Sequence, residues 1–183
     1  MRNILTALVL IVGLSGCAGT LSPNKNTTLI QTTSYLLSMD NRIDSHRQGV
    51  IARAVKAGIP ATIDVVNIEM LDIPFDTASI RGSYTDVTMM IPRNDIPVSD
   101  AVLVFMIGHE LAHKERDIGE IGGHEEELVC DAWGMMVAID LGYDPYEIIS
   151  WVRLDNAPSS STHPSDELRA KKLEEVVRQY KGL

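Results

Sequence analysis

Ala101 to Ile107 is a nearly unbroken apolar run that leads directly into His109-Glu110-Leu111-Ala112-His113. A helix that is apolar on every side has to be buried. The segment therefore predicts a core helix from about Ala101 to about Arg116, capped by Ser99 or Asp100. Two unpaired imidazoles inside a core would be costly. Positions i and i+4 share one helix face, so His109 and His113 can meet a single metal ion. Glu110, one position round the helix, can reach a water on that ion without binding the ion itself.

Hydrolytic zinc sites take three protein ligands and leave one position for water. A third histidine six residues beyond the motif is absent, because Arg116 and Gly119 stand where the glycine and histidine of an elongated motif would be. The next helix, from about Glu125 to Leu141, is preceded by His124 and offers Glu125, Glu126 and Glu127. Glu127 is the favoured ligand, since Asp131 lies one turn further on the same face and can hydrogen-bond a ligating histidine. His124 reads as a surface residue at the helix start, and Glu125 and Glu126 as favourable charges near a helix amino end.

The other elements follow from turn and cap signals. One or two helices are expected from about Ser34 to Ala57, carrying Leu36, Leu37, Ile43, Val50, Ile51 and Val55 and ended by Gly58-Ile59-Pro60. Thr62 to Leu71 and Ala78 to Ile91, the latter interrupted at Gly82, read as strands, and 92–97 as a loop. Gly142 closes the Glu127 helix, and Asp144 and Pro145 start a short one reaching Leu154. A Ser-rich loop from Asn156 to Pro164 precedes a last helix from Ser165 to about Tyr180. Strands followed by a run of helices is an α+β pattern, mainly helical, with a small sheet of two or three strands before the histidine helix. Trp133, Met135 and Met136 read as core, Met89 and Met90 as opposite faces of a strand, and His46 as solvated.

Composition limits the alternatives. The chain has 183 residues, 16 Lys+Arg against 25 Asp+Glu, a net charge of −9 and 45% apolar residues. That suits one domain and argues against a nucleic-acid binder, which needs a basic face. Two cysteines, Cys17 and Cys130, make no disulfide framework.

Met1-Arg2-Asn3 supplies a positive charge ahead of the apolar stretch Ile4 to Gly16, too short to span a bilayer and typical of a secretory signal. It ends in Leu14-Ser15-Gly16-Cys17, which resembles the bacterial lipobox, and Ala18 follows. That resemblance implies cleavage after residue 16, lipid on Cys17, and an outer-membrane lipoprotein facing the periplasm of a Gram-negative bacterium. The expected organisation is a signal peptide over 1–16, a lipidated tether over 17–33 and one domain over 34–183. Cys130 would then be without a partner in the chain.

His109-Glu110-Leu111-Ala112-His113 followed by Glu127-Leu128-Val129-Cys130-Asp131 resembles the HExxH and ExxAD pair of gluzincin metallopeptidases. Leu141-Gly142-Tyr143-Asp144-Pro145 and Ser161-Thr162-His163-Pro164, with Arg169 six residues after His163, narrow the likeness. Together they resemble the family of the CAAX prenyl endopeptidases, HtpX and the periplasmic lipoprotein peptidases of outer-membrane protein quality control. The likeness covers roughly residues 75 to 175. Three features depart from it. Cys130 stands where alanine is usual, the span from His113 to Glu127 is short, and the strand before the zinc helix lacks the family's Asn-Ala and Gly-Gly features.

The resemblance implies a minimal zincin-like domain with one Zn2+ held by His109, His113 and Glu127, and Asp131 behind a ligand. Zinc lowers the pKa of a bound water to about 7, and Glu110 moves its proton to the leaving amine. By the same analogy His163 and Arg169 stabilise the oxyanion, or His163 occupies the zinc as a fourth ligand and keeps the enzyme latent, its Ser-rich loop swinging. The strand from Thr85 to Ile91 is expected to pair an extended substrate by edge addition. Two functions stay open. One is a lipid-anchored endopeptidase acting on misfolded or unassembled envelope polypeptides. The other is a zinc-containing, chaperone-like or assembly-partner lipoprotein.

Overall fold

The apolar run forms the central helix. In the computed structural model, which describes residues 45–63, 65–71, 79–83, 85–92, 98–154 and 156–182, helix α1 (Ser45–Gly58) precedes a three-stranded sheet of β1 (Val65–Leu71), β2 (Ser79–Gly82) and β3 (Asp86–Pro92). Five helices follow: α2 (Asp100–Ala112), α3 (Arg116–Gly119), α4 (Gly123–Asp140), α5 (Pro145–Leu154) and α6 (Asp166–Lys181). The architecture is α+β and mainly helical. The signal segment, Cys17, the tether, Leu36, Leu37 and Ile43 lie outside the described residues, as do residues 93–97 of the expected loop. Among the described residues no helix is long and apolar enough to cross a membrane.

Ser99 caps α2 by accepting from the Val102 backbone N–H. The helix ends at Ala112, four residues before the expected Arg116, because the N–H groups of Lys114 and Glu115 bond the carbonyls of Leu111 and Ala112 and tighten the last turn. His113 is thus the C-cap, still in helical conformation (φ −58°, ψ −16°), which preserves its face with His109. Ala101–Phe105, Ile107, Leu111 and Ala112 are all buried, so α2 is enclosed by the rest of the domain.

Its closest neighbour is α4. A Cβ on Gly134 would stand 2.4 Å from the Phe105 carbonyl oxygen, and one on Gly108 would stand 2.8 Å from the Gly134 Cα. Only glycine at both positions lets the two backbones touch. The return from α2 to α4 is made by the short α3 and by Gly122 and Gly123, whose φ angles of 72° and 64° suit glycine. Trp133, Met135 and Met136 are core, as expected, and Trp133 Nε1 donates to the Gly58 carbonyl at 2.9 Å, tying α4 to the end of α1. Gly142, at φ 86°, ends α4. Asp144 accepts from the Tyr146 N–H to start α5, and Ser165 caps α6.

The strand expected over 78–91 is a hairpin, with Ser83 Oγ accepting from the Asp86 N–H at 3.0 Å in the turn. Sheet order is β1-β3-β2, with β3 parallel to β1 and antiparallel to β2. This overturns the expected substrate pairing along 85–91. Over Val87–Met90 both edges of β3 are already bonded, to Val66–Glu69 and to Ser79–Gly82, so no free ladder remains there. Met89 is buried and Met90 half-buried, alternating as expected. His46 is exposed, and it pairs at 2.7 Å with Asp100 in the first turn of α2.

The glycine contact yields a paired test. Gly134→Ala should destabilise the domain by about 1–3 kcal/mol through overpacking. Gly49→Ala in α1, whose Cβ would meet only the Arg53 side chain at 3.6 Å, should stabilise it by about 0.4–1 kcal/mol. Denaturant midpoints of the two variants check both signs.

Candidate metal centre

The α2–α4 contact brings the side chains of His109, His113 and Glu127 together. The two Nε2 atoms lie 3.2 Å apart. Glu127 reaches them from α4, with Oε2 at 3.5 Å from His109 Nε2 and Oε1 at 3.6 Å from His113 Nε2. Two nitrogens on one tetrahedral zinc, each at 2.0–2.1 Å from it, stand about 3.3 Å apart. The three side chains fit that geometry. Glu127 Oε2 is also buried without a hydrogen-bond partner, a costly state for a carboxylate oxygen unless a cation completes it. These residues can hold a metal ion.

What aims the rings inward is a carboxylate behind each of them. Asp131 Oδ1 lies 2.9 Å from His109 Nδ1, and Glu126 Oε1 lies 2.7 Å from His113 Nδ1. Both Nδ1 atoms therefore act as donors, which leaves the Nε2 lone pairs facing each other and the carboxylate of Glu127. Asp131 is the residue expected for this task. Glu126, read from sequence as an end charge, performs it for the second histidine.

Arg169 lies behind Asp131. Its Nε donates to Asp131 Oδ2 and its Nη2 to Asp131 Oδ1, both at 2.8 Å. That bidentate pair occupies the guanidinium on the far side of His109, so the expected oxyanion contact of Arg169 gives way to a supporting one. Burial works to raise the Asp131 carboxyl, but Arg169 and His109 outweigh it and pull it down to about 2. Burial disfavours a charged His109, yet Asp131 and Glu127 reverse that and push its pKa up. Glu127 is likewise lowered against the effect of burial by the imidazoles of His109, His113 and His163. The site thus attracts positive charge.

Glu110 is half-buried and turned toward a recess lined by Met89, Ile91, Leu103, Met106 and Ile107. Desolvation by burial raises its carboxyl above the ordinary range, which suits a group that must accept and return a proton. Cys130 Sγ lies 3.5 Å from His113 Nδ1, and His113, Glu126 and Cys130 form a second group able to converge on an ion. That side of the ring is already closed by Glu126, and burial pushes the Cys130 thiol up, away from the thiolate a metal needs. The Nε2 side is the better site.

His163 comes from the loop before α6. Its Nε2 lies 3.5 Å from Glu127 Oε2, its Nδ1 meets Thr162 Oγ1 at 2.8 Å, and 58% of its side chain is exposed. The loop is better held than its Ser-rich composition implied. Ala157 N–H donates to Asp166 Oδ2 at 2.8 Å, and Ser160 Oγ accepts from His163 N–H at 2.9 Å. His124, expected to be a surface residue at the helix start, also meets the Ser160 carbonyl at 2.8 Å. No signal in a single sequence connects residue 124 to residue 160. Compared with protein-family models, with functionally described proteins and with solved structures, the chain matches none.

Two outcomes test the centre. The purified chain should carry one metal ion. Glu127→Ala should lower affinity by more than the roughly 10–100-fold of a supporting-residue change, while Cys130→Ala should leave metal content unchanged by elemental analysis. The second concerns acid. Asp131 is depressed from 3.8 to about 2, so its contribution is present above about pH 4 and is lost as pH falls toward about 2. Asp131→Asn should remove that part of the acid sensitivity and, by taking the negative charge from between Arg169 and His109 while Asp166 stays beside Arg169, cost about 1.5–3 kcal/mol at neutral pH. Urea unfolding between pH 2 and 7 reads both effects.

Proposed function

We propose that the chain is a zinc-dependent endopeptidase of the gluzincin type, in a minimal zincin-like domain of the family to which its motifs bear a resemblance. The observation that carries this reading is the convergence of two inward-facing Nε2 atoms on Glu127, whose buried Oε2 makes no hydrogen bond, with Glu110 in electrostatic contact with both imidazoles. A site that served structure alone would have no use for Glu110.

His109, His113 and Glu127 would hold the ion. Zinc there would polarise the scissile carbonyl and lower the pKa of water. Glu110 takes the proton from the attacking water and returns it to the leaving amine, and its raised carboxyl equips it for both transfers. His163, exposed and with Nε2 3.5 Å from Glu127 Oε2, would donate to the oxyanion. Arg169 acts on the reaction only through Asp131, by fixing the ring of His109. Through lipid on Cys17 the enzyme would sit on the periplasmic face of the outer membrane and act on misfolded or unassembled envelope polypeptides.

The second reading, a zinc-containing chaperone-like or assembly-partner lipoprotein with no or latent activity, draws support from one contact. His163 Nε2 lies 3.5 Å from Glu127 Oε2, the oxygen that also faces His109 Nε2. One experiment separates the two. The wild-type chain should cleave an unfolded substrate such as casein, and Glu110→Gln should retain zinc and fold while losing about 10²–10⁴-fold in rate. Stoichiometric zinc with no cleavage by the wild type would favour the second reading.

A further inference from the structure

The loop that carries His163 is hydrogen-bonded to α4 at one point and approaches it at a second, one helical turn further on. His124 Nε2 meets the Ser160 carbonyl at 2.8 Å, and Glu127 Oε2 faces His163 Nε2 at 3.5 Å. Residues i and i+3 share a helix face, so one turn of α4 presents both the metal ligand and the grip on the loop. The loop is able to transmit that grip. Its ends are closed by Ala157 and Asp166, which exchange two hydrogen bonds: Ala157 N–H to Asp166 Oδ2 at 2.8 Å and Asp166 N–H to the Ala157 carbonyl at 3.1 Å. Its tip is folded on itself, with Ser160 N–H donating to the His163 carbonyl and Ser160 Oγ accepting from His163 N–H, both at 2.9 Å. Ser160 and His163 therefore move as one unit, and holding the first places the second.

We propose that His124 is a positioning residue that clasps the loop of residues 157–165 over the metal centre and so sets the access of water and substrate to it. Because a carbonyl can only accept, His124 Nε2 carries the hydrogen, and the clasp is a single N–H···O bond. This inference rests on the metal site proposed above and deepens it. It assigns control of the site to a residue that contacts neither the ion nor the substrate.

The test uses the zinc-loaded chain with three variants: His124→Ala, which removes the donor, His124→Gln, which restores an N–H at the Nε2 position, and His163→Ala. Zinc transfer to a chromogenic chelator should be about 5-fold faster in His124→Ala, the effect of losing one neutral hydrogen bond. It should stay near the wild-type rate in His124→Gln. His163→Ala should accelerate transfer as well, and adding His124→Ala to it should bring no further gain. A second readout does not need the metal: in metal-free protein, protease nicking within residues 157–163 should be faster in His124→Ala than in wild type or His124→Gln. Equal transfer and equal nicking in His124→Ala and wild type would overturn the clasp. So would a His124→Gln variant behaving like His124→Ala. A wild-type chain that binds no zinc would instead defeat the proposed function, and the nicking rates would still decide on the clasp.

Discussion

The contact on which the rest depends is the touching of two helix backbones at Gly108 and Gly134. Side chains one turn from that contact have short distances to cross, and these are the ones that matter. His109 follows Gly108 directly, and Asp131 precedes Gly134 by three positions. Any larger residue at the crossing would push α2 and α4 apart and lengthen the 2.9 Å bond from His109 to Asp131. The apolar run around Phe105 supplies the burial that holds the helices together, and the glycines decide how near they come. Packing therefore sets the geometry of the polar groups.

Electrostatics then acts on what packing has assembled. Glu110, Glu126, Glu127 and Asp131 surround two imidazoles, and one guanidinium, that of Arg169, lies behind them. The carboxylates are layered. Asp131 and Glu126 are engaged by the Nδ1 edges and so orient the rings, whereas Glu127 faces the Nε2 edges with an oxygen left over. Two lone pairs 3.2 Å apart repel each other unless a positive charge stands between them. The raised pKa of His109 reflects the same demand for positive charge. The layered carboxylates favour positive charge at that point, whether a proton or a metal ion.

Local patterns made much of this legible in the sequence. The i, i+4 spacing of His109 and His113, the choice of Glu127 and the supporting position of Asp131 all follow from helical periodicity, which is a property of short segments. The caps at Ser99 and Ser165 and the stops at Gly58 and Gly142 were readable for the same reason. What escaped were pairings between distant elements. Periodicity puts Glu126 near a helix start but says nothing of the ring of His113 that it meets across the α2–α4 contact. Arg169 could be read as a group bound for substrate, since its actual partner, 38 positions back in the chain, depends on how α6 packs against α4. The order of the sheet is a third case. Alternation of residues marks a strand but does not distinguish a central one from an edge, so β3 was assigned an open side that β1 and β2 occupy.

Cys130 illustrates what a buried position does to a reactive atom. Its sulfur is packed against the back of His113, and burial among carboxylates keeps the thiol protonated. Disulfide exchange begins with a thiolate, so this sulfur is a poor partner for oxidants and for other thiols. Under oxidising conditions the fold would shield this thiol from disulfide formation, including a crosslink between two copies of the chain.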